Sequence, residues 1–278
     1  GHMSRITARR KVTRVTVGQQ PSRREDLLAV EEPLEIRVGG RSLAITMRTP
    51  GHDFDLAAGF LVSEGVISAR AHFQTARYCA GAGEEHLNTY NILDVTLGQG
   101  VPPPDPSLER SFYTTSSCGL CGKASIDAVR THSVFSVTED ATTITAEMLA
   151  SLPDRLRAEQ TVFEQTGGLH AAALFDVTTG ELLVLREDIG RHNAVDKVVG
   201  WALMSDRIPL TCTALMVSGR ASFELAQKAL MAGIPILAAV SAPSSLAAEL
   251  ADDQGMTLVG FLRGDSMVIY SGGQRVVG

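Results

Sequence analysis

Four cysteines among 278 residues are too few for a disulfide framework, so the fold must rest on a buried apolar core. Aromatic residues make up only 5% and tryptophan occurs once, while hydrophobic residues reach 44% and charged ones 20%, the balance of an ordinary globule. No apolar run approaches about 18 residues. The most apolar, Thr213 to Val217 and Ile234 to Val240, are short and stop at serines. A membrane-spanning helix is thereby excluded. Residues 1 to 24 hold seven Arg or Lys and lack both an acid and an apolar stretch, so no secretory signal core is written there. A cytoplasmic location is expected. An excess of positive charge is missing too: 25 Lys and Arg stand against 31 Asp and Glu, a net of −6, which argues against an extended nucleic-acid footprint. Gly1-His2-Met3 reads as a tag remnant, and His2 is set aside.

What is present begins with a basic arm, residues 4–29, in which Thr13 to Val17 alternates like an edge strand; a solvated or strand-adding arm is expected. Leu34, Ile36 and Val38 alternate with polar residues, Gly39-Gly40 suits a two-residue turn, and Leu43, Ile45 and Met47 alternate again, which predicts a hairpin. From Asp53, the spacing of Phe54, Ala57, Ala58 and Leu61 before Gly65 predicts a short helix with a glycine stop. Strand-like segments follow at 76–79 and 87–97. The run Val101 to Pro106, with four prolines, then forces an extended connection and offers a boundary. On this reading residues 30–105 form a β-rich subdomain and residues 106–278 an α/β core.

Within the core, His170 to Phe175 and Glu181 to Leu185 flank Thr178-Thr179-Gly180 as a second hairpin, and a helix is expected over 191–204. Strands at 214–217, 234–240 and 257–262 alternate with helices at 220–231 and 244–253, the pattern of βαβ units with a parallel sheet. A turn at Arg263-Gly264-Asp265 returns Met267 to Tyr270 as an antiparallel partner, so the sheet is mixed.

The sharpest chemical feature is Cys118-Gly119-Leu120-Cys121-Gly122-Lys123 between small residues. Two thiols just ahead of a helix start near Lys123 should be reachable, and helix dipole and lysine together favour thiolate. That suits a sulfur carrier or redox centre. A structural zinc site would need Cys79, Cys212 or a histidine to complete it, since only one C-x-x-C is present. A thioredoxin-like pair normally ends a strand in a compact βαβ unit, and two unreactive loop cysteines are the bland alternative. The zinc-deaminase signature is absent: no His is followed two positions later by Glu, and Ser117 rather than Pro precedes the first thiol.

A second constellation, Ser218-Gly219-Arg220 and Ser241-Ala242-Pro243, lies where predicted strands end and helices begin. Free N–H groups, the helix dipole and Arg220 favour an anion there, and Phe261-Leu262-Arg263-Gly264-Asp265-Ser266 follows the third strand toward the same edge. Three such loops suit a phosphate-bearing, nucleotide-like ligand, although simple helix capping explains any one of them. In the polar run 186–197, Arg191, His192 and Asn193 are ligand donors, and His170 starts a strand; standing alone, each histidine reads as structural. Cys79 and Cys212 are expected as buried small hydrophobes and Trp201 as a helix packing residue.

Taken in order, Cys118-Gly-Leu-Cys-Gly, Thr166-Gly-Gly-Leu-His-Ala-Ala, Glu187-Asp-Ile-Gly-Arg-His-Asn-Ala-Val-Asp-Lys, Ser218-Gly-Arg-Ala-Ser and Gly260-Phe-Leu-Arg-Gly resemble the FdhD family of formate dehydrogenase accessory sulfurtransferases over roughly residues 30 to 272. The resemblance implies a three-layer, cytidine-deaminase-like α/β core and a homodimer. It implies a persulfide carrier that takes sulfur from a cysteine desulfurase on Cys118, with Cys121 as an auxiliary thiol. The sulfur would go to the molybdenum (or tungsten) bis-guanine-dinucleotide cofactor, bound as substrate, before that cofactor enters the formate dehydrogenase catalytic subunit; GDP is the expected mimic. The family's cofactor-binding stretch falls on Phe261 to Ser266. Some relatives carry Arg where Ser266 stands, which leaves Arg263 or Arg220 to supply the phosphate contact. A cofactor-binding chaperone without sulfur transfer and a zinc-stabilised interaction module are the alternatives.

Overall fold

The computed structural model describes residues 6–79, 91–105, 122–160 and 166–278. At its start, β1 (Thr7–Arg14) and β2 (Ser22–Ala29) pair antiparallel as a ribbon that is mostly exposed. The strand thus begins and ends earlier than the expected Thr13 to Val17, because Thr16 instead opens the turn, its carbonyl accepting from Gln19 N at 3.0 Å. The register explains the shift: it sets Lys11 opposite Glu25 and Arg10 opposite Asp26, cross-strand pairs of opposite charge.

β3 (Glu32–Val38) and β4 (Arg41–Arg48) form the expected hairpin, with Gly39 and Gly40 at φ +58° and +83°, the left-handed pair a tight two-residue turn requires. With β5 (Phe73–Tyr78) and β6 (Ile92–Leu97) they make a four-stranded sheet of order β4-β3-β6-β5. Leu34, Ile36, Leu93 and Val95, at alternate positions, are buried beneath it in the same cluster as Leu56, Phe60 and Leu61 of α1 (Asp53–Ser63).

The second half opens with α2 (Gly122–His132), β7 (Ile144–Thr145) and α3 (Ala146–Glu159). Then come β8 (His170–Asp176), β9 (Leu182–Asp188), α4 (Arg191–Met204), β10 (Thr213–Val217), α5 (Phe223–Met231), β11 (Ile236–Ala239), α6 (Ser245–Gln254), β12 (Thr257–Arg263) and β13 (Ser266–Ser271), with a short β14 (Val276–Val277) beside β7. The sheet order is β13-β12-β11-β10-β8-β9. β10, β11 and β12 run parallel, whereas β8, β9 and β13 are antiparallel to their neighbours, so the sheet is mixed as expected. The two βαβ helices start one to three residues later than their spacing predicts, because Ser222 and Ser244 act as caps, accepting from Leu225 N and Ala247 N at 3.3 and 3.1 Å.

Side-chain alternation divides the six-stranded sheet between two buried clusters. Ala171, Ala173, Phe175, Met216 and Ala238 face α3 through Leu149, Leu152 and Leu156. Ala172, Leu174, Leu215, Val217 and Leu237 face the other way, into a cluster shared with α4, α5, α6, α1 and the four-stranded sheet. The β-rich segment and the core therefore share one interior. Helices α1 and α4 cross at backbone contact: a Cβ on Gly59 would overlap the Asp196 carbonyl, and one on Gly200 would overlap that of Asp55.

Candidate functional site: the strand-end edge

Three helices begin at one edge of the six-stranded sheet. β10 ends at Val217 and leads through Ser218-Gly219-Arg220 to α5; β11 leads through Ser241 to α6; α4 starts at Arg191 beside the end of β9. Backbone hydrogen bonds knit these loops together, Ser241 N donating to Gly219 O at 3.4 Å, Phe261 N to Ser241 O at 3.3 Å, and Ser244 N to Ala221 O at 3.0 Å. Ser218 Oγ accepts from Ala171 N at 2.9 Å, which ties its loop to the start of β8. A strand-end crevice of this kind, with helix N-termini on its rim, suits anionic ligands.

The predicted cofactor residues Ser218, Gly219, Arg220, Ser241 and Phe261 are thus neighbours. β12 continues to Arg263 and turns at Gly264-Asp265 into β13, as expected, and Ser266 Oγ donates to the Arg263 carbonyl at 3.1 Å. Leu262 differs from the rest: its side chain is buried in the α3 cluster, so only its backbone can face a ligand. Phe261 adopts φ +51°, and 41% of the residue is exposed. A non-glycine residue there costs on the order of 1–3 kcal/mol, and it accompanies a register shift between Gly260 and Arg263. Arg220 and Arg263 are exposed, and among the described residues neither has an ion-pair partner.

The charges behind the edge are arranged differently. Asp188, fully buried, accepts from Lys197 Nζ at 2.8 Å, Gly190 N at 2.8 Å and Thr49 N at 3.0 Å. Asp196 accepts from Lys228 Nζ at 2.8 Å and from Ser63 Oγ at 2.7 Å. Arg48 grips Asp53 through two nitrogens at 2.8 and 3.0 Å. Glu64, beside the Asp196 pair, is pushed above the usual carboxylate range by burial.

His170 and His192 both reach the edge, which neither predicted from its neighbours alone. Burial, then the nearby Arg191 charge, holds His170 below the usual imidazole range. His192 Nε2 lies 3.9 Å from Glu224 Oε2, and this imidazole keeps Glu224 below its usual range. Glu224 escaped the sequence reading because it lies in α5's first turn, where an acid is ordinary helix chemistry. Asn193 is structural instead: buried, it donates to Met47 O at 2.8 Å and bonds Thr46 Oγ1. Trp201 packs on its helix with Arg207 over the ring at 5.2 Å, as a packing residue should.

Cys118 and Cys121 lie outside the described residues, as do the side chains of 122–124. The helix expected after them is present as α2, which begins at Gly122. Cys212 is a correction: it is exposed, at φ +57°, because its N–H is drawn to Asp140 Oδ2 at 3.1 Å while its carbonyl accepts from Val177. Cys79 is half-buried. Among the described residues no three His, Cys, Asp or Glu side chains are grouped to hold a metal.

The chain has relatives along nearly its whole length. A sulfur carrier protein FdhD from Streptomyces coelicolor is 62% identical over 275 residues, covering 99% of this chain and 97% of that one. One from Mycolicibacterium paratuberculosis is 60% identical, covering 98% and 99%. A crystal structure described as a formate dehydrogenase accessory protein, from Desulfotalea psychrophila, superposes with a TM-score of 0.76 at 23% identity over 98% of this chain and 100% of that one, so the fold is shared. The FdhD/NarQ family model matches residues 29–277, and with the full-length relatives it establishes that this chain is a member of the FdhD/NarQ family.

Proposed function

We propose that the chain is a sulfur carrier serving formate dehydrogenase, with Cys118 as the carrying thiol and the strand-end edge as the seat of its cofactor substrate. The observation that supports this most directly is the 60–62% identity, across nearly the whole chain, to proteins named as sulfur carriers. In the loading step the Cys118 thiolate attacks the outer sulfur of a cysteine desulfurase persulfide. A new S–S bond forms on Cys118, the donor's S–S bond breaks, and the donor cysteine leaves as thiolate; no electrons are gained or lost overall. The carried sulfur is then presented to the molybdenum or tungsten bis-guanine-dinucleotide cofactor on its way to the dehydrogenase catalytic subunit.

The edge supports the substrate half of the reading. Its phosphates would meet the N-termini of α5 and α6, the guanidinium groups of Arg220 and Arg263, and small residues at Ser218, Gly219 and Gly264 that leave the backbone accessible. The exposed Phe261 ring offers a face for a guanine base. Under the same reading the chain is a homodimer with cytidine-deaminase-like layering, and it works in the cytoplasm.

Cells lacking their own copy of this gene provide the functional test. The wild-type chain should restore formate dehydrogenase activity, and Cys118→Ala should not, while both accumulate equally. Full activity with Cys118→Ala would instead identify a cofactor chaperone whose thiols are dispensable, and about one zinc per purified chain, lost on changing either thiol, would identify a zinc-stabilised interaction module.

A further inference from the structure

We infer that His170, Arg191 and His192 form an anion subsite that takes the diphosphate of a guanine-nucleotide ligand, at the end of the edge formed by β8, β9 and β10. This deepens the reading of the edge given above and rests on it, but none of the three residues belongs to the loops that the family resemblance assigns to the cofactor.

The placement is set by topology. His170 begins β8 opposite Asp188, the last residue of β9, while Ala172 pairs with Val217, the last residue of β10. A Cβ on Gly219 would lie 3.6 Å from His170 Nδ1, an ordinary contact distance, so the imidazole sits over the Ser218-Gly219 turn. Two residues beyond Asp188, Gly190 carries the chain into α4, and Arg191 and His192 are the first two residues of that helix. One turn of helix and one strand end thereby bring three basic side chains to the rim already occupied by Ser218 and Arg220.

The carboxylates around them leave Arg191 unanswered. Two carboxylates face the group. Asp188 is fully buried and already satisfied by Lys197, Gly190 N and Thr49 N. Glu224 stands 3.9 Å from His192, Asp188 acts on His170, and Arg191 has no acid within ion-pair distance among the described residues. Arg191 Nε is enclosed and has no hydrogen-bond partner, a costly state for a guanidinium N–H, and a ligand oxygen would reach the group through its terminal nitrogens. Burial first, and then the Arg191 charge, hold His170 below the usual imidazole range against the opposing pull of Asp188, and an imidazole at this position can donate an N–H to a ligand oxygen. The helix behind them adds to the same field: Gly190 gives α4 no side-chain cap, whereas Ser222 and Ser244 cap α5 and α6. Two adjacent phosphates match this set better than one, since Arg191 and the two imidazoles are spread over a strand end and a helix turn.

Calorimetric titration of the full chain with GDP, guanosine and inorganic pyrophosphate tests the assignment, using wild type, Arg191→Gln, Arg191→Lys, His170→Gln and, as a control on the β1–β2 ribbon, Arg9→Gln. Arg191→Gln should weaken GDP by about tenfold or more, the loss expected for a charge-assisted bond. Arg191→Lys and His170→Gln should fall between it and wild type, and Arg9→Gln should match wild type. Guanosine binding should be insensitive to all four changes, and pyrophosphate should compete with GDP in the wild type. Circular dichroism melts matching wild type would show that each variant folds; if Arg191→Gln does not, Arg191→Lys carries the comparison. Unchanged GDP affinity in both Arg191→Gln and His170→Gln, with GDP bound tightly by wild type, would overturn the subsite and leave the edge reading standing. A wild type that binds neither GDP nor pyrophosphate would instead remove the nucleotide reading of the edge as a whole, while sulfur loading on Cys118 would be judged separately.

Discussion

Helix α4 holds two populations of charge only a turn apart. Asp196 and Lys197, in its second turn, are buried and each is matched, by Lys228 and Asp188. Arg191 and His192, in its first turn, face the strand ends, and there Arg191 has no acid within ion-pair distance among the described residues. The inner pairs tie α4 to α1, α5 and the hairpin of β3 and β4, since Asp196 also receives Ser63 Oγ and Lys197 also donates to Thr49 O at 2.9 Å. Charges that hold the architecture are closed on themselves, and those left open mark where another molecule can supply the partner. The same division separates Arg48, sealed against Asp53, from Arg220 and Arg263 on the rim.

The largest losses should come from the inner pairs. Asp196→Ala strands Lys228 in the interior and should cost about 3–5 kcal/mol in urea-induced unfolding, whereas adding Lys228→Met should recover much of the loss. A single methyl at the crossing is nearly as disruptive. Gly59→Ala or Gly200→Ala forces α1 and α4 apart at a backbone carbonyl, and a loss of about 3 kcal/mol is expected in the same assay.

At the rim the balance should reverse, with function lost and stability kept. Phe261→Gly relieves the φ +51° backbone and should leave the unfolding midpoint equal to wild type or higher, while GDP binds more weakly by roughly 1–3 kcal/mol for want of the ring. A loss of stability in that variant would show the ring to be a packing residue. His170 gives the pH test. Its pKa is lower in the folded chain than the unfolded value of about 6.5, so the unfolded state binds more protons in that window and stability falls as pH drops through it. His170→Gln should flatten the fall in denaturation midpoint between about pH 7 and 5.5. The smallest effect belongs to the ribbon: Arg9 and Glu25 form a 3.6 Å pair with both side chains largely exposed, and Arg9→Ala should shift the midpoint no more than the error of measurement.

Much of this plan was legible in the residues. The alternation of Leu34, Ile36 and Val38 around Gly39-Gly40 and the βαβ rhythm of residues 213–263 gave sheets and helices close to their observed bounds, because burial on one face imposes a period that composition shows directly. Helix starts were misplaced by the length of a cap, since Ser222 and Ser244 belong to the turn in conformation though their neighbours suit a helix. Cys212 read as apolar from strand-like neighbours, yet a long-range bond to Asp140 turns it outward. The meeting of His170 with Arg191 and His192 was hidden for a related reason: it depends on which strands are neighbours, and no local spacing carries that information. The inner ion pairs were equally silent, since Asp196 and Lys228 are thirty-two residues apart and each sits on an otherwise ordinary helix.

The function proposed for this chain rests on sulfur carried by Cys118. Intact-mass spectrometry of the purified chain after incubation with a cysteine desulfurase and cysteine tests it most directly, alongside Cys118→Ala and Cys121→Ala. Wild type should gain a sulfur adduct, about +32 mass units per atom, that dithiothreitol removes, that Cys121→Ala retains and that Cys118→Ala alone lacks. An adduct of equal size on Cys118→Ala, or none on a wild-type chain that still binds GDP, would contradict it.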